Sequence, residues 1–143
     1  MPQAIVVCCD GTKNTFGRSD TNVRRVFDNL DHSKHVCYYD PGLGTDVGER
    51  TLGKLSESLA NFGSAALAIG QHRKVLKAYR FLCRYYQPGV KIFLFGFSRG
   101  AWCVRRLAKM VAVVGLLPEE LDHLIPQAYN AYEAFKGSGR ESE

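Results

Sequence analysis

The stretch KIFLFGFSRGAWCVRRLAKMV, residues 91–111, decides how this chain folds. Its apolar start ends in Gly-Phe-Ser-Arg-Gly, and apolar residues then recur at helical spacing. A G-x-S-x-G pattern between a strand and a helix is typical of a sharp turn that exposes a serine above a sheet, and small residues at Gly96 and Gly100 relieve crowding there. The pattern predicts a nucleophile at Ser98, with the N–H of Arg99 as one donor to an oxyanion.

Apolar runs predict three strands. The continuous runs QAIVVCC (residues 3–9) and VKIFLFG (residues 90–96) are typical of strands covered on both faces, and HVCYYD (residues 35–40) predicts a shorter one. Apolar residues at helical spacing lie between and after these runs, the last of them over residues 125–135. Strands that alternate with helices predict an α/β three-layer sandwich, in which a short parallel sheet has helices on both faces.

A second candidate stretch follows the first predicted strand, and we expect it at the edge of the sheet that carries Ser98. A backbone N–H of the turn Asp10-Gly11-Thr12 could supply the second oxyanion donor. Alternatively, Asp10 only shapes the turn. A strand that ends in Asp-Gly-Thr is also typical of aspartyl-phosphate phosphatases, but their nucleophilic aspartate is replaced here by Cys8.

A third stretch, YYDPGLGT at residues 38–45, follows the second predicted strand. Gly42 and Gly44 would let a loop that begins at Asp40 approach the same edge and contact a substrate. An ordinary turn begun by Asp-Pro-Gly is an equal alternative. The glycine- and serine-rich segment 40–70 is too long for a simple crossover, so we expect a functional loop or a partly helical cap.

Composition indicates one globular domain at residues 1–136, followed by a polar tail at 137–143 that we expect to be disordered. Five cysteines without paired spacing are typical of a reduced, cytoplasmic protein. The sequence shows no signal peptide and no apolar run long enough to span a membrane, although secretion by a route without a signal peptide stays open. We expect no metal and no cofactor.

The formal net charge of +5 is compatible with an anionic partner surface. Basic residues form two clusters at helical spacing: Arg73, Lys77, Arg80 and Arg84, then Arg105, Arg106 and Lys109. We expect solvated helix faces, with attraction to anionic lipid headgroups as the functional alternative. No nucleic-acid-binding motif accompanies the charge, so we expect no nucleic-acid partner.

The stretches CCDGTKN, YYDPGLGT and IFLFGFSRGAWCVRRLAKMVAVVGLLP, in this order, resemble the α/β-hydrolase domain of unknown function that includes the Tle1-type phospholipase effectors of type VI secretion. The similarity spans about residues 4–134. It implies the N-terminal and central part of an α/β-hydrolase fold, a carboxylic-ester hydrolase and phospholipid as the substrate class. By motif matching it also implies that Ser98 is the nucleophile, and that the Gly11 or Thr12 turn forms part of the oxyanion hole.

The resemblance places the first strand between the other two, so both outer strands are left with open apolar edges. Such edges invite pairing with another chain. We therefore expect the edge beside residues 90–96 to be covered by a second copy of the chain, a complementing polypeptide or the C-terminal segment.

An α/β-hydrolase triad follows the chain order Ser, then Asp or Glu, then His. After Ser98 the chain has one histidine, His123, and its acidic residues lie in or beside predicted helices. We expect each of His32, His35, His72 and His123 to be solvated or to cap a helix, and if another histidine substitutes as the base, His72 is the best placed. We expect the triad acid and base to be absent from this chain.

Three hypotheses remain open. The chain is a serine ester hydrolase that is completed by further polypeptide or a partner, a catalytically incomplete binding or regulatory module that keeps the serine turn as scaffold, or a fragment of a longer protein.

Overall fold

A computed structural model of the protein describes residues 2–11, 21–42 and 65–138. Its strands form one parallel sheet: β1 (Ala4–Cys9), β2 (His35–Asp40) and β3 (Lys91–Gly96). β1 lies between β2 and β3, with Ala4 opposite His35 on one side and Lys91 on the other. The predicted parallel sheet, with its first strand in the middle, is confirmed.

Helices lie on both faces of the sheet: α1 (Asn22–Asp28), α2 (Ala65–Tyr85), α3 (Arg99–Val114), a 3₁₀ helix (Glu119–Leu124) and α4 (Ile125–Ser138). α1 packs on one face, and α2, α3 and α4 pack on the other. β1 connects to β2 through α1, and β2 connects to β3 through α2. The two connections run in opposite directions across the sheet. Because both crossovers are right-handed, their helices lie on opposite faces. The predicted α/β sandwich is confirmed.

β1 is buried on both faces, because successive side chains of a strand point to opposite sides of the sheet. Ile5, Val7 and Cys9 belong to the core formed with α2, α3 and α4, whereas Val6 and Cys8 pack against α1. Burial raises the pKa of the Cys8 thiol to about 11 and that of Cys9 further still. Both side chains are therefore neutral core residues at physiological pH.

β3 differs from the prediction of a strand covered on both faces. Ile92 and Leu94 are half-buried and join the core beneath α3. On the opposite face, Phe93 and Phe95 are 46% and 38% exposed, because α1 packs over β1 and β2. The apolar run correctly predicted a strand, but the inference of burial on both faces was wrong for this strand.

A cluster around Arg106 joins α2, α3 and α4. Arg106 forms an ion pair with Glu133, donates a hydrogen bond of 2.8 Å to the Tyr129 hydroxyl and lies 4.6 Å from the centre of the Trp102 ring. The His72 ring stacks on Tyr129 with 4.0 Å between ring centres. Arg106 is therefore an internal link between helices and not part of a solvated basic face.

Ion pairs attach the 3₁₀ helix to the basic stripe on α2. Arg80 Nε lies 2.7 Å from Asp122 Oδ1, and Arg84 Nε lies 3.3 Å from Glu119 Oε1. Two of the four basic residues in the stripe are thus neutralised within the chain. This pairing weakens the alternative in which the stripe attracts lipid headgroups.

The N-terminus of α3 lies directly against the ends of β1 and β3. A Cβ atom added to Gly100 would overlap the carbonyl group of Cys9. One added to Gly96 would lie 2.6 Å from the Gly100 carbonyl oxygen and 2.7 Å from Ala101 Cα. Since all of these neighbours are backbone atoms, the two glycines of the G-x-S-x-G pattern set the distance between helix and sheet.

We expect Gly100→Ala to lower the free energy of unfolding by about 3 kcal/mol, because backbone must move to admit the methyl group. Helix propensity alone predicts the opposite result, because alanine in place of glycine within a helix raises the free energy of unfolding by about 1 kcal/mol. Urea denaturation followed by circular dichroism measures the change. Gly89→Ala is the control, since no atom of the described residues lies within 4 Å of its added Cβ and its φ of 89° opposes the substitution, at a cost of about 1 kcal/mol. Equal losses of stability in Gly100→Ala and Gly89→Ala would show that the close approach of α3 to the sheet is not required.

Candidate active site

Ser98 occupies the turn between β3 and α3 and is exposed. Its backbone angles are φ 52° and ψ −121°, and no other non-glycine residue in the described ranges has a positive φ. Such strain costs about 1–3 kcal/mol and persists only where the surrounding structure enforces it. Here the Phe97 N–H donates to the Cys9 carbonyl at 3.1 Å, and the Gly100 N–H donates to the Phe97 carbonyl at 2.8 Å. The turn is the sharp, strained one that the sequence pattern predicted.

The helix that begins after Ser98 provides a positive electrostatic environment. The first N–H groups of a helix have no acceptor within the helix and form the positive end of its dipole. The Ser98 hydroxyl makes no capping hydrogen bond to them. The Gly100 N–H donates to the Phe97 carbonyl and the Ala101 N–H to the Ser98 carbonyl, so it is the N–H of Arg99 that can serve negative charge developing beside Ser98.

Asp10 is buried and organises the turn after β1. Its Oδ1 accepts a hydrogen bond from the Gly11 N–H (2.8 Å), and its Oδ2 accepts from the hydroxyls of Thr21 (2.5 Å) and Tyr39 (2.9 Å). Burial, and then the hydrogen bond to Asp10, raise the pKa of Tyr39 to about 12, so this residue remains a donor at neutral pH. The geometry fits the alternative in which Asp10 shapes the turn.

Gly11 brings this turn into contact with the serine. A Cβ atom added to Gly11 would lie 3.1 Å from Ser98 Cβ, so the two turns predicted to share an edge do lie together. The Gly11 N–H is engaged by the Asp10 carboxylate. Of the predicted oxyanion donors, this leaves the N–H of Arg99 and that of Thr12, which lies outside the described residues.

The end of β2 reaches the same edge and supports Gly11. Asp40 forms an ion pair with Lys74 of α2 and accepts a hydrogen bond of 3.0 Å from the Gly42 N–H. Gly42 has a φ of 95°, and a Cβ atom at this position would overlap the Gly11 carbonyl group. Asp40 and Gly42 therefore hold the Gly11 turn in place. Gly44, the other predicted substrate contact, lies outside the described residues.

A small cavity lies behind the serine turn. It measures about 10 Å³ and is lined in part by Asp40, Lys74, Arg99 and Cys103. This volume is close to that of one water molecule, so a substrate must approach Ser98 from its exposed side. Burial lowers the pKa of the Arg99 guanidinium, whose Nη2 is buried and finds no hydrogen-bond partner in the described part of the chain.

His72, the best placed substitute base, does not contact the serine. Its ring is held in the Arg106 cluster by stacking on Tyr129, and its Nε2 is buried without a hydrogen-bond partner among the described residues. Burial, and secondarily the charge of Arg106, lower its pKa. The described contacts of His72 therefore give it a role in helix packing.

The other three histidines also lie away from Ser98. His35 begins β2, and His32 precedes it with its Nε2 3.1 Å from the Phe27 carbonyl oxygen, so both lie at the amino-terminal edge of the sheet. His123 lies in the 3₁₀ helix that is attached to α2. All four histidines of the chain belong to the described residues, and none forms a hydrogen bond with Ser98.

Sequence reasoning did not identify the residues that support the site from a distance. Tyr39 and Lys74 were not singled out, and neither was Thr21, which also caps α1 by accepting a hydrogen bond from the Arg24 N–H (3.0 Å). Their contacts with Asp10 and Asp40 join residues 11 to 34 positions apart. No local pattern reveals such pairs.

A strained serine between a strand and a helix, at the carboxyl edge of a parallel sheet, defines an α/β-hydrolase-like protein. The chain matches the family described as "T6SS, Phospholipase effector Tle1-like, catalytic domain" over residues 3–143. It therefore belongs to the Tle1-like phospholipase effector catalytic domain family, and the resemblance found in the sequence is confirmed.

One curated relative is "Uncharacterized protein YEL023C" of Saccharomyces cerevisiae (strain ATCC 204508 / S288c), with 35% identity over 147 residues. The match covers 97% of this chain and 22% of the yeast protein, so the chain spans less than a quarter of that relative's length. No solved structure gave a match.

None of the helices in the described ranges is long and apolar enough to cross a membrane. The same residues contain no group of three or more His, Cys, Asp or Glu side chains that could hold a metal ion.

We expect Ser98→Gly to be more stable to unfolding than Ser98→Ala by about 1 kcal/mol. Both variants lack the hydroxyl, but only glycine adopts the positive φ without strain. Chemical denaturation of the two proteins measures the difference. Ser33 is the control, because it is an exposed turn residue whose φ is not positive. There Ser33→Gly should be less stable than Ser33→Ala, since glycine only adds entropy to the unfolded chain. Equal stability of the two Ser98 variants would contradict a strained turn.

The lowered pKa of His72 predicts a loss of stability in mild acid. As the pH falls below about 6.5, the unfolded chain takes up a proton that the folded chain resists, so the free energy of unfolding decreases. Above about pH 6.5 the imidazole is neutral in the folded and in the unfolded chain, so its titration no longer lowers the free energy of unfolding. Denaturation of wild type and His72→Gln at matched pH values should show a steeper decline for wild type between about pH 7 and 5. Parallel curves would contradict the burial of a neutral imidazole.

Proposed function

We propose that this chain carries the nucleophile of a carboxylic-ester hydrolase that acts on phospholipids, and that Ser98 is this nucleophile. The observation that carries the proposal is the strained, exposed conformation of Ser98 at the N-terminus of α3, where the ends of the three strands meet. Membership of a family described by its phospholipase effectors supports phospholipid as the substrate class.

The chemistry is acyl transfer in two steps. Ser98 Oγ attacks the ester carbonyl carbon while a general base takes the hydroxyl proton. The oxyanion of the tetrahedral intermediate accepts hydrogen bonds from the N–H of Arg99 and, as the sequence predicts, from the backbone N–H of Thr12. The intermediate collapses, and the alcohol product leaves with the proton held by the base. Water, deprotonated by the same base, then releases the fatty acid from Ser98.

The general base and its acidic partner are proposed to come from polypeptide outside this chain. The four histidines occupy other parts of the fold, which supports this assignment. Glu119, Asp122 and Glu133 are each in an ion pair with an arginine, so they are engaged in linking helices. The greater length of the yeast relative is consistent with further polypeptide in related proteins.

A second candidate function is favoured by the same arrangement of histidines. A chain that keeps a serine turn without an imidazole beside it fits a non-catalytic binding or regulatory module. In that case the strained turn would serve only as a scaffold at the edge of the sheet.

A fluorophosphonate probe separates the two candidates. We expect it to label Ser98 when the chain is mixed with the rest of the yeast relative, prepared without its matched region. Mass spectrometry identifies the labelled residue, and the label should be lost in Ser98→Ala. His72→Gln should keep it, because the His72 ring stacks on Tyr129 and forms no hydrogen bond with Ser98. The same mixture should release fatty acid from phosphatidylglycerol vesicles.

We expect the probe to label the chain alone more slowly than the mixture by several powers of ten, because the chain alone has the oxyanion donors but no general base. Ser33→Ala is the matched control for an exposed serine outside the site. Absence of a Ser98 label, in the chain alone and in the mixture, would contradict the hydrolase and favour the binding module.

A further inference from the structure

We infer that Trp102 of α3 is the contact surface for the acyl chain of the ester that Ser98 attacks, and that Arg106 is a positioning residue that holds the indole ring in place. The identity of this ligand rests on the proposed function. The position of the ring and the contacts that fix it do not depend on that function.

Trp102 lies one helical turn after Ser98 and on the same side of α3. Its N–H donates to the Ser98 carbonyl at 3.3 Å, and Cβ atoms four residues apart on a helix are about 6 Å from each other. The buried residues of α3 face the sheet, among them Gly100, Cys103 and Leu107, whereas Ser98 and Trp102 are exposed. Because long side chains of a helix lean toward its N-terminus, the indole ring is directed toward the serine turn.

Arg106 fixes one face of the indole ring. Its guanidinium lies 4.6 Å from the ring centre, which is within the range of a cation–π contact. The guanidinium is itself held, because it forms an ion pair with Glu133 and donates to the Tyr129 hydroxyl at 2.8 Å. Trp102 is nevertheless 38% exposed. A large aromatic ring that is exposed and already immobilised binds a ligand at a low cost in conformational entropy.

The ester reaches Ser98 from its exposed side, because the cavity behind the turn is close in volume to one water molecule. Phe97 packs toward Gly11, with its Cδ1 3.2 Å from a Cβ atom added to that glycine. This is the side on which the sequence predicts the second oxyanion donor. The oxyanion and the acyl chain are different substituents of one carbon atom, so the chain extends away from Gly11, toward Trp102.

The charges around the indole ring select an apolar ligand. The Arg106 guanidinium already satisfies the attraction of the ring for a cation, and Glu133 balances the charge of that guanidinium. Neither a cationic nor an anionic headgroup therefore gains an ionic contact at this ring. The exposed indole surface instead favours a hydrocarbon chain. Trp102 is thus a specificity-determining residue for the acyl part of the substrate.

Trp102 is the only tryptophan of the chain, so its fluorescence reports directly on this surface. The test uses Ser98→Ala, which binds without turnover, and dihexanoylphosphatidylglycerol dissolved as monomers, with and without a bromine at the end of each acyl chain. Bromine quenches tryptophan fluorescence on contact. We expect saturable quenching by the brominated lipid and none by the lipid without bromine. Glycerophosphoglycerol, which is the headgroup without acyl chains, should not displace the lipid.

Matched variants in the Ser98→Ala background locate the contact. Trp102→Ala should weaken binding of the lipid about tenfold by isothermal titration calorimetry, and Trp102→Phe should restore most of the affinity. Leu121→Trp combined with Trp102→Phe moves the tryptophan to a comparably exposed position on the 3₁₀ helix, where the brominated lipid should not quench it.

Arg106→Lys tests the positioning role, because it keeps the charge but loses the planar contact with the ring. We expect time-resolved fluorescence anisotropy to show faster local motion of Trp102 in this variant than in the parent chain. Unchanged motion would remove Arg106 from the inference.

Three results would overturn the acyl contact. The first is no quenching of Trp102 by the brominated lipid. The second is equal quenching of the tryptophan at position 121, which would mean unspecific adsorption of lipid. The third is displacement by glycerophosphoglycerol, which would indicate a headgroup site. Quenching at Trp102 without a fluorophosphonate label on Ser98 would keep the acyl contact and reject the hydrolase, whereas a label without quenching would reject the acyl contact alone.

Discussion

The structure depends on the close approach of backbone segments at one edge of the sheet. α3 begins so near the end of β1 that Gly100 contacts the Cys9 carbonyl group, Gly11 lies against Ser98, and Gly42 lies against Gly11. These glycine contacts join the ends of all three strands in one layer. Since the contacts involve backbone atoms, they leave little room for adjustment, and the strained conformation of Ser98 is a consequence of this packing.

Two buried carboxylates stabilise that layer. Asp10 accepts hydrogen bonds from its own turn, from Thr21 at the cap of α1 and from β2, while Asp40 connects the loop after β2 to Lys74 of α2. A buried carboxylate is costly unless donors surround it, so each one fixes the elements that provide its donors. The acidic residues at this edge therefore position Gly11 and, through it, the turn that holds Ser98.

Local patterns were sufficient to predict the strands, the helices and the serine turn, because each rests on neighbouring residues. The burial of β3 was predicted wrongly, since the apolar run 90–96 shows that a strand forms but not what covers Phe93 and Phe95. Arg106 was expected on a solvated face because its partners lie 23 and 27 positions further along the chain. These outcomes depend on how the elements are placed relative to one another, which the sequence of one segment does not contain.

The exposed serine and the exposed face of β3 lie side by side. Parallel sheets with helices on both faces usually bury their strands. Here Phe93 and Phe95 stay substantially exposed, because α1 packs over β1 and β2, and Phe97 continues the same row next to Ser98. The proposed nucleophile therefore lies beside apolar surface, which neither the serine pattern nor the apolar run of residues 90–96 indicates by itself.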